Sequence, residues 1–138
     1  MHDPCVVGTR DSPIRVGGSR YQVADSGDCR GAAPKARLRG RFGNHPHVGD
    51  IRGRGVFWAL ELVEDRASKR SFESKCRINT RLELQGLENG LMCYPIGGSF
   101  DGVTGDRALL APPYIISEAQ LDEVVDKLTY SLDQVVAG

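Results

Sequence analysis

No stretch of this sequence approaches the roughly 20 consecutive apolar residues that a membrane-spanning helix requires, so it offers no candidate bilayer segment. The opening MHDPCVVGTRDSP has no basic start followed by a sustained apolar stretch. A secretory signal is therefore not expected, and the cytoplasm is the default location. Net charge is also lacking: 18 Lys and Arg balance 18 Asp and Glu, which removes any general attraction to nucleic acid or anionic membrane. Cys5, Cys29, Cys76 and Cys93 contain no CxxC pair and no nearby histidine at zinc-ligand spacing. Neither a metal site nor a disulfide framework is indicated. Gly49, Gly53 and Gly55 do not make GxGxxG and no helix is expected after them, so phosphate cradling is not supported. Lysine is scarce, with only Lys35, Lys69, Lys75 and Lys127.

What is present describes one ordinary globular domain. The length of 138 residues allows burial of about two-thirds of the unfolded surface. Residues 1–36 hold Pro4, Pro13, Pro34 and five glycines, with isolated valines that keep neither a helical nor a strand period. This segment reads as irregular or disordered, and the ordered domain as 37–138.

Val48–Ile51 and Val56–Val63 read as two strands joined through RGRG, and in the second Val56, Trp58, Leu60 and Leu62 form one apolar face. Glu64–Lys75 is a polar surface excursion. A helix is expected over 75–89, with Ile78, Leu82 and Leu87 on its stripe, Gly86 weakening it and Gly90 ending it. LMCYP reads as a third strand stopped by Pro95, GGSFDGVTGD as a ten-residue loop, and RALLA as a strand stopped by PPY. Ser117 and Gln120 have capping-box spacing, and Leu121, Val124, Val125, Leu128, Leu132, Val135 and Val136 follow an amphipathic helical stripe. The expected fold is α+β: a small antiparallel or mixed sheet of three to four strands covered by helices.

The blocks HPHVGDIRGRGVFWALELVEDR, GLMCYPIGG and DGVTGDRALLAPPYIISEAQLDEVVDKL resemble, in wording, order and spacing, the C-terminal small domain of class-III aminotransferases. The resemblance covers residues 37–138, and the segment before it departs from the family, in which a long apolar-striped helix should precede HPHVGD. It implies descent from enzymes that move an amino group between an amine or amino acid and a keto acid using pyridoxal phosphate. Intact relatives hold that cofactor on a lysine in a large domain. None of the four lysines here lies in an apolar or electropositive setting that would make it nucleophilic. The resemblance therefore implies a truncated fragment that binds no cofactor and catalyses nothing alone, and whose partner is the missing large domain or a second subunit. Amine and keto-acid substrates would bind only in an intact enzyme.

By the same resemblance, Gly97, Gly98, Asp106, Arg107 and Pro112 would border the substrate entrance. Many members carry a carboxylate-binding arginine three residues before the double proline; here that position is Leu109, and Arg107 points to the same side by strand alternation. The wording resembles a subgroup with histidine at the place of Arg107. A non-enzymatic docking module, using an exposed apolar sheet face, is the alternative reading.

Other features have ordinary explanations. His45 and His47 flank Pro46, but no third metal ligand accompanies them, so a loop role is expected. Seven cations between Arg30 and Arg54 lack interleaved aromatics for base stacking, which favours a solvated basic face over nucleic acid. Glu61 and Asp65 border solvent with no nucleophile near.

Overall fold

The computed structural model describes residues 14–16, 19–21 and 34–138. Most of the segment read as irregular, including Cys5 and Cys29, lies outside the described residues. Within it, β1 (Ile14–Val16) and β2 (Ser19–Tyr21) pair antiparallel.

The first helix, α1, is described over residues 34–42. The sequence reading placed no helix here. Its apolar content is Leu38 and Phe42, four residues apart on one face, and both are fully buried. Pro34 is the first described helical residue.

Strand β3 (Val48–Arg54) turns through Gly55-Val56 into β4 (Phe57–Leu62), with Gly55 at φ 60° supplying the left-handed backbone of a two-residue hairpin loop. Trp58 folds back across this hairpin, and its indole N–H donates to the Gly55 carbonyl at 2.8 Å. The ring lies over Gly53, its cross-strand partner, where an added Cβ would fall 2.7 Å from Trp58 Cε3. The same Cβ would fall 2.4 Å from the Phe57 carbonyl oxygen, so glycine is needed there for the close approach of both the facing backbone and the ring rather than for its dihedrals.

After the excursion and a short 3-10 turn (Ser74–Cys76), α2 (Ile78–Glu88) leads to β5 (Tyr94–Ile96), β6 (Asp106–Leu110) and α3 (Glu118–Ala137). The four-stranded sheet has the order β3-β4-β6-β5 and is antiparallel throughout. Pro95 does not stop β5 but sits at its centre, tolerated because β5 is an edge strand.

The inner face of the sheet carries Trp58, Leu60, Leu62, Ala108 and Leu110. Leu38 and Phe42 of α1, Ile78 and Leu82 of α2, and Val125, Leu128, Leu132 and Val135 of α3 complete one core with it. Each such large side chain contributes about 1.5–3 kcal/mol on burial, so this layer dominates stability. Ser117 caps α3 as expected: its hydroxyl accepts from the Gln120 N–H at 3.2 Å, and the Gln120 side chain accepts from the Ser117 N–H at 3.0 Å. At the α2–α3 crossing the buried Ser131 hydroxyl donates to the Lys127 carbonyl at 2.7 Å and accepts from Asn89 at 2.9 Å. A small polar residue is thus seated in the core with both bonding roles filled.

The expected stripe of α2 is corrected at one position. Leu87 is 53% exposed and Gly86 takes the inward place. There the returning chain passes so near that a Cβ on Gly86 would lie 3.1 Å from the Leu91 carbonyl oxygen.

Candidate functional site

The described helices all pack on the inner face, which leaves the outer face of the sheet to the residues that alternate with the core. These are Arg52 and Arg54 on β3, Phe57, Ala59 and Glu61 on β4, Arg107 and Leu109 on β6, and Tyr94 and Ile96 on β5, matched by register. Phe57 and Tyr94 are 53% and 67% exposed, and the adjoining Met92 is 88% exposed. Water does not reward such exposure, so this face has the character of a surface awaiting cover.

At one end stands the β5–β6 loop, which is tightly organised. Ser99 N–H donates to the Gly105 carbonyl and Phe100 N–H to the Thr104 carbonyl, each at 3.0 Å. The Asp101 carboxylate accepts from the Val103 and Thr104 N–H groups at 2.9 and 2.6 Å, and these donors, Thr104 first, hold its pKa below the usual carboxylate range. Gly98, at φ 68°, is folded so close to Gly102 that a Cβ would lie 2.7 Å from the Gly102 oxygen. Ser74 Oγ donates to the Val103 carbonyl at 2.8 Å and ties the loop to the turn before α2. Phe100 and Val103 are exposed at its tip.

The five residues singled out in the sequence do not share one location. Gly97, Gly98, Asp106 and Arg107 gather at the loop end of β5 and β6, whereas Pro112 follows the far end of β6, roughly 20 Å away along an extended chain of six residues. Asp106 and Arg107 also part company across the sheet. Asp106 faces inward at 7% exposure, and burial pushes its carboxyl pKa up against the opposing pull of the Asn79 backbone N–H. Arg107 is half-buried on the outer face, in register with Glu61 and Ile96. Among the described residues no carboxylate lies within ion-pairing distance of it, while the outward Arg52 is engaged by Asp50 and, at 3.8 Å, by Glu61.

The sequence reading missed a depression at the Pro112 end. Phe57, Leu87, Met92, Tyr94, Leu109 and Ala111 line a largely apolar groove of about 460 Å³ that also takes in Glu83 and Cys93. Burial raises the pKa of the Cys93 thiol. The signal available was Met92 and Tyr94 alternating in LMCY, which periodicity alone assigns to a strand and not to an open face.

The charged and ligand-like residues elsewhere are committed. Arg37 pairs with Asp122 and, at 3.3 Å, with Glu118, and Arg41 pairs with Asp126, so α1 lies along an acidic row of α3. The Asp122 carboxylate raises the pKa of Arg37. His45 Nδ1 accepts from the His47 N–H at 3.1 Å, which leaves Nε2 to donate to Asp133 at 2.9 Å. His47 Nδ1 is 3.1 Å from the Val63 carbonyl and donates to it. Neither ring is turned toward a shared metal position. Asp65 accepts from the Ser68 hydroxyl and N–H, which lower its pKa in that order, and so closes a turn.

No lysine fits the covalent anchor of an aldehyde cofactor. Lys127 is bound to Glu123 at 2.6 Å and to the Gly90 carbonyl at 3.4 Å. The Glu73 carboxylate pairs with Lys75 and raises its pKa, opposite to what a nucleophilic amine needs. Lys35 and Lys69 are exposed.

No family model matches the chain. An uncharacterized aminotransferase of Schizosaccharomyces pombe is 45% identical over 102 residues, which are 74% of this chain and 22% of that protein. An omega-aminotransferase from Paracoccus denitrificans superposes with a TM-score of 0.72 at 33% identity, over 83% of this chain and 24% of the other. The PMP-bound aminotransferase of Vibrio fluvialis gives 0.70 at 34% identity, over 83% and 24%. The chain spans between 15 and 24% of the length of the curated relatives it matches.

Proposed function

Because this chain belongs to the class-III aminotransferases and corresponds to their C-terminal small domain, we propose that it forms one wall of a substrate entrance when joined to a cofactor-holding large domain, and is inactive without it. The activity of the whole would be transfer of an amino group between an amine or amino acid and a keto acid, with pyridoxal phosphate as the electron sink. The observation that carries this reading is the pairing of an aminotransferase fold with four lysines, none of which is placed to hold the cofactor. The exposed outer face supports it, since Phe57, Tyr94 and Met92 are a natural seat for a second domain. On that face Arg107, which forms no ion pair although Glu61 is its cross-strand partner, is suited to fork onto a substrate carboxylate. Gly97 and Gly98 would shape the adjoining mouth, and Pro112 the opposite rim. The unpaired thiols of Cys76 and Cys93 accord with a cytoplasmic setting.

A chimera tests the reading. Residues 37–138 replace the matching segment of the Paracoccus denitrificans omega-aminotransferase, and the product is assayed for cofactor absorbance and amino transfer. The expected result is an active enzyme whose kcat/KM for carboxylate-bearing substrates falls about tenfold or more with Arg107→Ala, the loss of a charge-assisted pair. Stable assembly without turnover would instead support a docking module. Amino exchange by the 138-residue chain alone would overturn the proposal.

A further inference from the structure

The strand register lays the outer face of the sheet out in rows. Nearest the β5–β6 loop, Glu61 of β4 stands beside Arg107 of β6, with Asp50 and Ile96 at the ends of the row. The middle row runs Arg52, Ala59, Leu109, Tyr94. One step further, Arg54 is paired with Phe57, and the register continued past Leu110 brings Ala111 beside that ring. Two features of this face have no answer within one chain. Phe57 and Tyr94 are more than half exposed. Glu61 and Arg107 are cross-strand partners yet form no ion pair, and Glu61 reaches instead to Arg52 at 3.8 Å.

Both features are answered by a second copy of the same face. A two-fold axis lying parallel to the face, along the strands and between β4 and β6, keeps each row and exchanges the columns. Glu61 of each copy then opposes Arg107 of the other, and the contact occurs twice. Arg52 opposes the Tyr94 ring, a cation–π pairing. Small meets large where Ala59 opposes Leu109 and Ala111 opposes Phe57. Asp50 against Ile96 is a poor match, but it falls at the rim, where water stays. An axis across the strands would set Glu61 over Phe57 and Arg107 over Ala111, leaving both charges unanswered. Charge complementarity thus selects one of the two flat arrangements, and it is the aligned packing that twisted sheets adopt face to face.

We propose that this chain forms a two-fold dimer through the outer face of its sheet, held in register by reciprocal Glu61–Arg107 pairs. From strand spacing and rise the face measures roughly 20 Å by 20 Å, which is small for a permanent interface, so the dimer is reversible. The inference does not need the substrate-entrance reading, although it uses the same face. The two uses exclude one another: a chain engaged with its copy cannot seat a large domain.

Sedimentation velocity on the 138-residue chain, from about 1 μM to about 1 mM, should show a monomer–dimer equilibrium. Arg107→Glu sets a second carboxylate against Glu61 and should raise the dissociation constant about tenfold or more; Glu61→Arg should do the same with two cations. An equimolar mixture of these two variants should dimerise as well as the wild type, because each answers the other's charge at both contacts. A wild type that stays monomeric overturns the proposal, as does a dimer indifferent to both charge reversals or a mixture no tighter than its components. If a charge reversal fails to fold, as read from Trp58 emission, the exposed edge variant Tyr94→Arg decides. It sets a cation against Arg52 and should weaken the dimer, and an unchanged dissociation constant overturns the proposal. Rescue by mixing alongside chimera kinetics indifferent to Arg107 would keep the dimer and refute the entrance reading. A monomer at every concentration refutes the dimer whatever the chimera does.

Discussion

Replacing Phe42 with alanine asks what holds α1 to the body of the protein. Two attachments compete: the apolar pair Leu38 and Phe42, and the ion pairs of Arg37 and Arg41 with α3. Phe42 is 0% exposed, and removing a buried phenyl ring costs about 3–5 kcal/mol through lost transfer energy and the cavity left behind. The acidic partners Glu118, Asp122 and Asp126 are mostly open to solvent, so each ion pair is worth about 0–1 kcal/mol. Burial should therefore win by a factor of about two or more. In urea, followed by the fluorescence of the single tryptophan Trp58, Phe42→Ala should lower the midpoint by roughly 2 M for a slope near 2 kcal/mol/M. Arg37→Ala with Arg41→Ala should lower it by less than about 1 M, with most of that difference gone in 0.5 M salt on the order of the screening expected. A double arginine variant as damaging as Phe42→Ala would refute the reasoning. So would a Phe42 variant that unfolds like the wild type, because α1 would then not be docked.

Three further outcomes follow from the same geometry. Ser117→Ala should cost about 1 kcal/mol by thermal or urea unfolding, because two reciprocal bonds at the start of α3 are lost. Gly53→Ala should cost about 1–3 kcal/mol and shift the Trp58 emission, since the new methyl occupies the space of the indole. Asp106 has a pKa raised by burial, so the folded protein keeps its proton more readily than the unfolded one. Its contribution is present below the unfolded-state value, near pH 4, and is lost as pH rises through the folded value. Asp106→Asn should accordingly raise Tm at neutral pH and lose that advantage below about pH 4; a variant less stable at pH 7 and equal at pH 3 would reverse the sign.

The parts of the fold that were legible are those whose signal is local. The stripe and capping box of α3 and the alternation of Val56, Trp58, Leu60 and Leu62 are written in adjacent residues, and the structure buries them as read. Helix α1 was not legible, because only Leu38 and Phe42 mark it within a run holding Pro34, Gly40 and several arginines. Its partners on α3 lie more than 80 residues onward. Leu87 was placed inward by period, but the return of the chain past Gly86 decides that position, and no local pattern carries it. At the candidate site, alternation correctly paired the direction of Arg107 with that of Leu109. What it left out is that Asp106 thereby faces the core, and that four residues separate Arg107 from Pro112 along the strand and its end.

Pro95 has one more consequence. The sheet has two open borders: one is a three-residue strand whose central residue lacks an N–H, and the other carries a bulge at Val48–Asp50 followed by Arg52 and Arg54. Neither border offers the unbroken row of donors and acceptors that templated fibre growth demands. Self-association at high concentration should then proceed by greasy faces meeting flat, giving small, reversible oligomers that dissolve on dilution.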